Sequence, residues 1–235
     1  MIAFVIGATG YTGRAIVAEL RSRGIETHAH IRPGSTRSKS LAAEFGRSGA
    51  IVNQTPWELE AFERTIRGVQ PDIIFGCLGI TRSGAKAEAK RTGKKPSYEA
   101  VDYGLTVLTA DACVAAGVSP RFVYLSSHGT NSASANEYLK WRWKTEEHLR
   151  GTGIPCTFVR PSFITGGEGR DESRPLESVG AAVAGGALSV LAAFGVSKLK
   201  ARFRPRTNVE LASKMVELAI DPAAANTIVS SEQLG

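Results

Sequence analysis

The run Gly7-Ala8-Thr9-Gly10-Tyr11-Thr12-Gly13 constrains this 235-residue chain more than any other stretch. It follows directly on Ile2–Ile6, an apolar run of buried-strand length. It opens a segment, Tyr11–Arg23, whose apolar residues Ile16, Val17 and Leu20 recur at helical spacing. Three glycines at a strand-to-helix turn have separable uses. Gly7 permits a tight exit from the strand, Gly10 lets the backbone come close to a ligand, and Gly13 lets the helix lie near the sheet. The unpaired N–H groups where such a helix begins attract anions, phosphate above all.

The same alternation continues down the chain. Strand-like runs fall at Thr27–Ile31, Ala50–Asn53, Asp72–Cys77, Phe122–Leu125 and Thr157–Val159. Helical patterns lie between them at Ser40–Phe45, Glu58–Arg67, Tyr98–Ala116 and Glu137–Arg150. Gly24 and Gly117 stand where helix-ending glycines belong. Beyond Pro161 the alternation stops. A helix over Val209–Ile220, capped by Asn208 or Thr207, and a strand at Thr227–Val229 close the chain. Strand, helix, strand repeated over about 160 residues predicts a Rossmann-type doubly wound parallel sheet in three α/β/α layers. The whole chain, 1–235, reads as one domain, with 161–235 a small appendage on the substrate side of the cleft.

In such a sheet the first strand-to-helix turn holds the pyrophosphate of a dinucleotide. The spacing here is G-x-x-G-x-x-G, which resembles the short-chain dehydrogenase/reductase superfamily in its extended and atypical branches. An NAD(H) site usually has a carboxylate at the end of the second strand, bonding the ribose 2′-hydroxyl. Here that strand ends Ala29-His30-Ile31-Arg32 with no acid, Arg37 follows, and Arg14 sits just inside the turn. Guanidinium groups suit a 2′-phosphate, so the pattern favours NADP(H) over NAD(H). Thr9, Tyr11 and Thr12 within the turn, Cys77-Leu78-Gly79 after the fourth strand, and Arg160-Pro161 after the sixth are the other candidate cofactor contacts.

Short-chain dehydrogenases place a serine after the fifth strand and Tyr-x-x-x-Lys on the next helix. The candidates here are Ser126 or Ser127, and Tyr138. Neighbouring strand residues face opposite ways, so one serine reaches the cleft. Residue 142, four on from Tyr138 and on the same helical face, is arginine. Arg142 can supply charge and hydrogen bonds to hold the ribose and tune Tyr138. It cannot relay a proton, because a guanidinium does not lose one at useful pH. Asp102, early in the preceding helix, braces the turn after the fourth strand or caps its own helix.

The net charge of +7 favours anionic partners. Two basic stretches, 86–95 and 198–206, carry no nucleic-acid motif, so nucleic acid is not an expected partner. The nearly uncharged Ser178–Val196 has the length of a bilayer span, but its glycines and scarcity of large side chains argue for packed helix instead. Cys77, Cys113 and Cys156 lie in apolar runs without metal-ligand spacing, and the four histidines show none either. No metal is expected. Free thiols, and a first strand beginning at Ile2 with no preceding targeting segment, lead to an expected cytoplasmic location.

The stretches Cys77-Leu78-Gly79-Ile80-Thr81-Arg82, Leu125-Ser126-Ser127-His128-Gly129, Arg160-Pro161 and Glu172-Ser173-Arg174-Pro175, together with the glycine turn, resemble the Tat-interacting oxidoreductase-like family. This is an atypical short-chain dehydrogenase branch. The resemblance runs from the first strand to the helix at Val209. It implies NADP(H) gripped by the glycine turn and the basic residues after strand two, and a Ser–Tyr–Lys set from which this chain departs at Arg142. It also implies either an oxidoreductase acting on a small molecule or a cofactor-binding regulator with a protein partner. Superfamily members often form homodimers through helices, though no interface is specified here.

Overall fold

The computed structural model describes residues 1–34, 38–80, 85–86, 89–90, 93, 95–165 and 206–234. Arg37, much of the basic stretch 81–94, Glu172-Ser173-Arg174-Pro175, Ser178–Val196 and most of 198–206 lie outside them.

Strand β1 (Ile2–Ile6) is flanked by β2 (Glu26–His30) and β4 (Ile73–Gly76), with Phe4 level with His28 on one side and Ile74 on the other. With β3 (Ile51–Asn53), β5 (Arg121–Leu125), β6 (Cys156–Arg160) and β9 (Thr227–Ser230), they form one seven-stranded sheet in the order β3-β2-β1-β4-β5-β6-β9, all neighbours parallel. The order reverses between β1 and β4; in open α/β sheets the ligand crevice lies at such a switch point, outside the carboxyl ends of the strands. A separate ladder pairs β7 (Ile164–Thr165) with β8 (Arg206–Thr207). This ladder was not foreseen, since two-residue strands leave no periodic trace.

Alternation along the strands divides the core into two layers. Ala3 and Val5 face Ile16, Val17 and Leu20 of α1 (Tyr11–Ser22), and Leu211, Met215 and Val216 of α6 (Asn208–Ile220). Phe4 and Ile6 point the other way, onto Phe62 and Ile66 of α3 (Leu59–Val69) and Cys113 of α4 (Leu105–Ala116). Helix α2 (Ser38–Arg47) covers β3, and α5 (Glu137–Gly151) follows β5. The three α/β/α layers are those expected.

The helix ends obey local rules. After α1 the chain turns through Gly24 at φ +71°, where Gly24 N donates to Arg21 O and Ile25 N to Leu20 O, both 3.0 Å. That pair of bonds satisfies carbonyls the helix would otherwise leave open. Helix α6 starts with a reciprocal cap: Thr207 Oγ1 accepts from Glu210 N at 3.2 Å and Glu210 Oε2 accepts from Thr207 N at 2.8 Å. Thr207, of the two candidates, is therefore the cap. Ahead of α4 the backbone is wound as a π-helix over Glu99–Gly104, where apolar periodicity indicates plain helix. No helix among the described residues is long and apolar enough to cross a membrane.

Candidate dinucleotide site

Gly7 leaves β1 at φ +76°, and a Cβ placed on it would lie 2.6 Å from both the carbonyl carbon and oxygen of Cys77. Only glycine combines that backbone with that approach. A Cβ on Gly13 would fall 2.1 Å from Gly7 O, so α1 rests directly on the turn. Gly10 N donates to Gly7 O at 3.0 Å and closes the loop. Gly10 is the N-cap of α1. It has no side-chain capping bond, and the first turn carries no acid. A helix start stripped of its usual cap is built to receive an external anion. Thr12 is buried and Thr9 half-buried beside it. The Tyr11 hydroxyl donates to Thr165 O at 3.0 Å, and Asn208 Nδ2 donates to Tyr11 O at 3.1 Å, so β7 and the start of α6 brace the turn from outside. Arg14 is half-buried, and its Nε has no hydrogen-bond partner among the described residues.

At the end of β2 the side chain of His30 turns into the core, against Trp57 and Phe62, with Nε2 2.8 Å from Thr55 O. Burial holds its pKa below the ordinary imidazole value, against the opposing pull of that carbonyl. The residues that follow His30, Ile31 and Arg32, supply no carboxylate to meet a ribose 2′-hydroxyl. Arg32 lies exposed just beyond.

Across the crevice, the exits of β4 and β5 are joined through Arg142. Its Nη1 donates to Tyr124 Oη (3.0 Å) and Leu125 O (2.6 Å), and its Nη2 to Leu78 O (2.9 Å) and Asp102 Oδ1 (2.9 Å). The Arg142 side chain is 5% exposed and that of Asp102 1%. Asp102 Oδ2 accepts from Ile80 N at 3.0 Å. The Tyr-x-x-x-Arg spacing had suggested that Arg142 holds the ribose; in the structure its Nη groups point to acceptors of the protein. All four of its Nη hydrogens are directed to acceptors inside the protein. Burial alone would weaken its charge, but the oxygens of Tyr124, Tyr138 and Asp102 outweigh that and hold its pKa above the usual guanidinium range. Burial pushes the Tyr124 phenol up to about 12, although Arg142 acts in the other direction.

Tyr138 stands in the first turn of α5, half-buried. The Arg142 guanidinium carbon lies 5.1 Å from its ring centroid, and Tyr98 packs edge-on at 5.4 Å. No hydrogen bond ties the Tyr138 hydroxyl to any described residue. The two serines part company. Ser126 is buried and donates to Glu146 Oε1 at 2.6 Å. Ser127 is half-buried, and among the described residues its hydroxyl makes only a long 3.4 Å contact with His128 O. Of the two, Ser127 has the hydroxyl less engaged by described residues. Arg160 is also spoken for in part. Its Nε and Nη2 donate to the fully buried Glu146 at 2.9 and 2.6 Å, while Pro161 O accepts from His128 N at 2.9 Å.

A family model described as NAD(P)H-binding matches residues 7–217, from the first glycine of the turn to α6. This chain belongs to the NAD(P)H-binding family. Among relatives of this NAD(P)H-binding protein is the mitochondrial protein FMP52-1 of Scheffersomyces stipitis, 30% identical over 169 residues, covering 71% of this chain and 68% of that one. The fold is shared with a putative NAD-dependent epimerase/dehydratase from Bacillus halodurans (TM-score 0.64, 18% identity, 97% of this chain and 92% of that one). It is shared too with leucoanthocyanidin reductase of Vitis vinifera, solved as a binary complex with NADPH (TM-score 0.62, 15% identity, 97% and 67%).

Two residues of the NAD(P)H-binding protein's far wall escaped the sequence reading. Glu146, which gathers Ser126, Arg150 and Arg160, lies four residues after Arg142 and four before Arg150, so the helical face they share was visible. Tyr98 gave no signal, because its partner Tyr138 is 40 residues away.

Proposed function

We propose that this NAD(P)H-binding protein is an NADP(H)-dependent reductase acting on a small carbonyl-like substrate. The observation that carries the reading is the uncapped, acid-free start of α1, pressed so closely on Gly7 that no side chain larger than hydrogen fits at residues 7 and 13. Gly7, Gly10, Gly13 and the amides of Tyr11 and Thr12 would hold the pyrophosphate, and Arg14 and Arg32 the 2′-phosphate. Cys77, Leu78 and Gly79 would flank the nicotinamide half. NADPH, when bound, supplies a hydride. The chain's own part is to orient the acceptor and deliver a proton. Tyr138, whose hydroxyl has no hydrogen-bond partner among the described residues, donates the proton. Its ring packs against the Arg142 guanidinium, which fixes where the hydroxyl points. Ser127, the serine not consumed by Glu146, polarises the acceptor oxygen.

The test is NADPH oxidation across a panel of carbonyls and quinones. Turnover of at least one compound, lost in Tyr138→Phe and Ser127→Ala but retained in Ser126→Ala, supports the reading. No turnover, or full activity in Tyr138→Phe, refutes it. One observation favours a second reading, a cofactor-binding regulator without turnover. With Arg142 committed inward, no cation at that position serves the ribose or relays a proton. That reading predicts NADPH binding without hydride transfer, and a protein partner captured only in one cofactor state.

A further inference from the structure

We propose that Arg142 and Asp102 form a buried clamp that sets the gap between the β4 and β5 exits, and so positions the nicotinamide half of the cofactor without touching it. Four observations converge. Arg142 binds the carbonyls of Leu78, after β4, and Leu125, at the end of β5, from one guanidinium. A planar fork with fixed N–H directions makes the distance between those carbonyls rigid, which an ammonium on a flexible stem does not. Asp102 completes the bracket, accepting from Arg142 with one oxygen and from the Ile80 amide with the other. The π-helical winding of Glu99–Gly104 carries Asp102, and such windings frequently mark functional positions. Finally, Gly79 lies under the guanidinium: a Cβ there would sit 2.9 Å from Arg142 Nη2 and 3.6 Å from Asp102 Oδ1. The backbone of residues 78–80 is thus drawn against the clamp along its length. Both residues are positioning residues.

In a doubly wound sheet of this order, one mononucleotide half lies over β1–β3 and the other over β4–β6. The clamp spans only the second half. It therefore affects the nicotinamide end and leaves the adenosine end alone. This rests on the site assignment above, and the experiment separates the two.

The full chain is titrated with NADPH and with adenosine 2′,5′-bisphosphate, which lacks the nicotinamide half, as wild type, Arg142→Lys and Asp102→Ala. The clamp predicts at least a tenfold loss of NADPH affinity in each variant and a change of less than twofold for the bisphosphate. Lysine, the residue the short-chain dehydrogenases carry here, should fail to rescue. Unchanged or tighter NADPH binding in Arg142→Lys overturns the proposal, because it would mean that residue 142 touches the ribose. Equal losses for both ligands overturn it too, since they would report general damage to the fold. Should wild type bind neither ligand, the site assignment falls. The clamp is then still read by hydrogen exchange in the unliganded chain. The Ile80 amide should exchange at least tenfold faster in Asp102→Ala and in Arg142→Lys, and unchanged protection overturns the proposal. If Asp102→Ala does not fold, Arg142→Lys carries both measurements alone.

Discussion

Gly13→Ala adds one methyl group at the point where α1 rests on the glycine turn. The new carbon would lie 2.1 Å from Gly7 O, 2.8 Å from Gly7 C and 2.9 Å from Ala8 Cα. All three are backbone atoms, so no side chain can swing away. Relief to an ordinary contact near ~3.5 Å requires α1 and the turn to separate by about 1.4 Å. Gly7 cannot retreat, because its far side abuts the backbone of Cys77. The helix must lift instead, taking its open amides with it. Overpacking of this kind costs about 1–3 kcal/mol of stability. Hydrogen bonds to a charged group are worth roughly 1.5–3 kcal/mol each. Displacing even one N–H from a bound phosphate by more than an ångström therefore costs about 2 kcal/mol, roughly 30-fold in affinity. Gly10→Ala is the control. Its Cβ would meet only Gly7 O, at 3.2 Å, so the fold should lose less than about 1 kcal/mol, and any larger effect on affinity arises on the ligand side. The assay is urea denaturation of each variant without cofactor, followed by titration with NADPH. A Gly13→Ala protein with wild-type stability and wild-type NADPH affinity would refute the reasoning.

Three further perturbations probe separate parts of the account. Arg32→Glu should weaken NADPH binding by roughly 10–100-fold, on the scale of a charge-assisted hydrogen bond, while leaving NADH affinity within about twofold; equal changes for both nucleotides in fluorescence titration would remove Arg32 from the site. Thr207→Ala should destabilise the chain by about 1 kcal/mol through loss of the reciprocal cap on α6, seen as a lower urea midpoint with an unchanged slope. Burial lowers the His30 pKa in the folded chain, whereas in the unfolded chain it gains a proton below pH ~6.5. The unfolded state then binds more protons, so this contribution is complete above that pH and falls away as acid is added. Stability should therefore fall as the pH drops below ~6.5, and His30→Leu should show a shallower fall in urea midpoint.

Much of the fold was legible because strand and helix periods differ and glycine marks the breaks. The glycine turn, the helix stops at Gly24 and Gly117, and the sheet strands all follow from residues close in sequence. Boundaries moved by one or two residues, as at β2, where the expected Thr27–Ile31 is Glu26–His30, because end residues are fixed by pairing rather than by their own preference. What could not be read depends on contacts distant in sequence. The spacing of Tyr138 and Arg142 on one helical face was visible, but not that Arg142 faces Asp102, 40 residues away, and the exits of two strands. Nor could alternation along β5 separate Ser126 from Ser127; what distinguishes them is Glu146, on the following helix, which takes the Ser126 hydroxyl. The π-helical stretch was hidden for a related reason: such winding leaves no distinct apolar repeat over six residues.

The most direct test of the central claim is a titration of the wild-type chain with NADPH and, separately, NADH, followed by nicotinamide fluorescence. Both should bind saturably to one site per chain, with NADPH at least tenfold tighter, and adenosine 2′,5′-bisphosphate should compete. Tighter binding of NADH, or no saturable signal with either nucleotide, would contradict it.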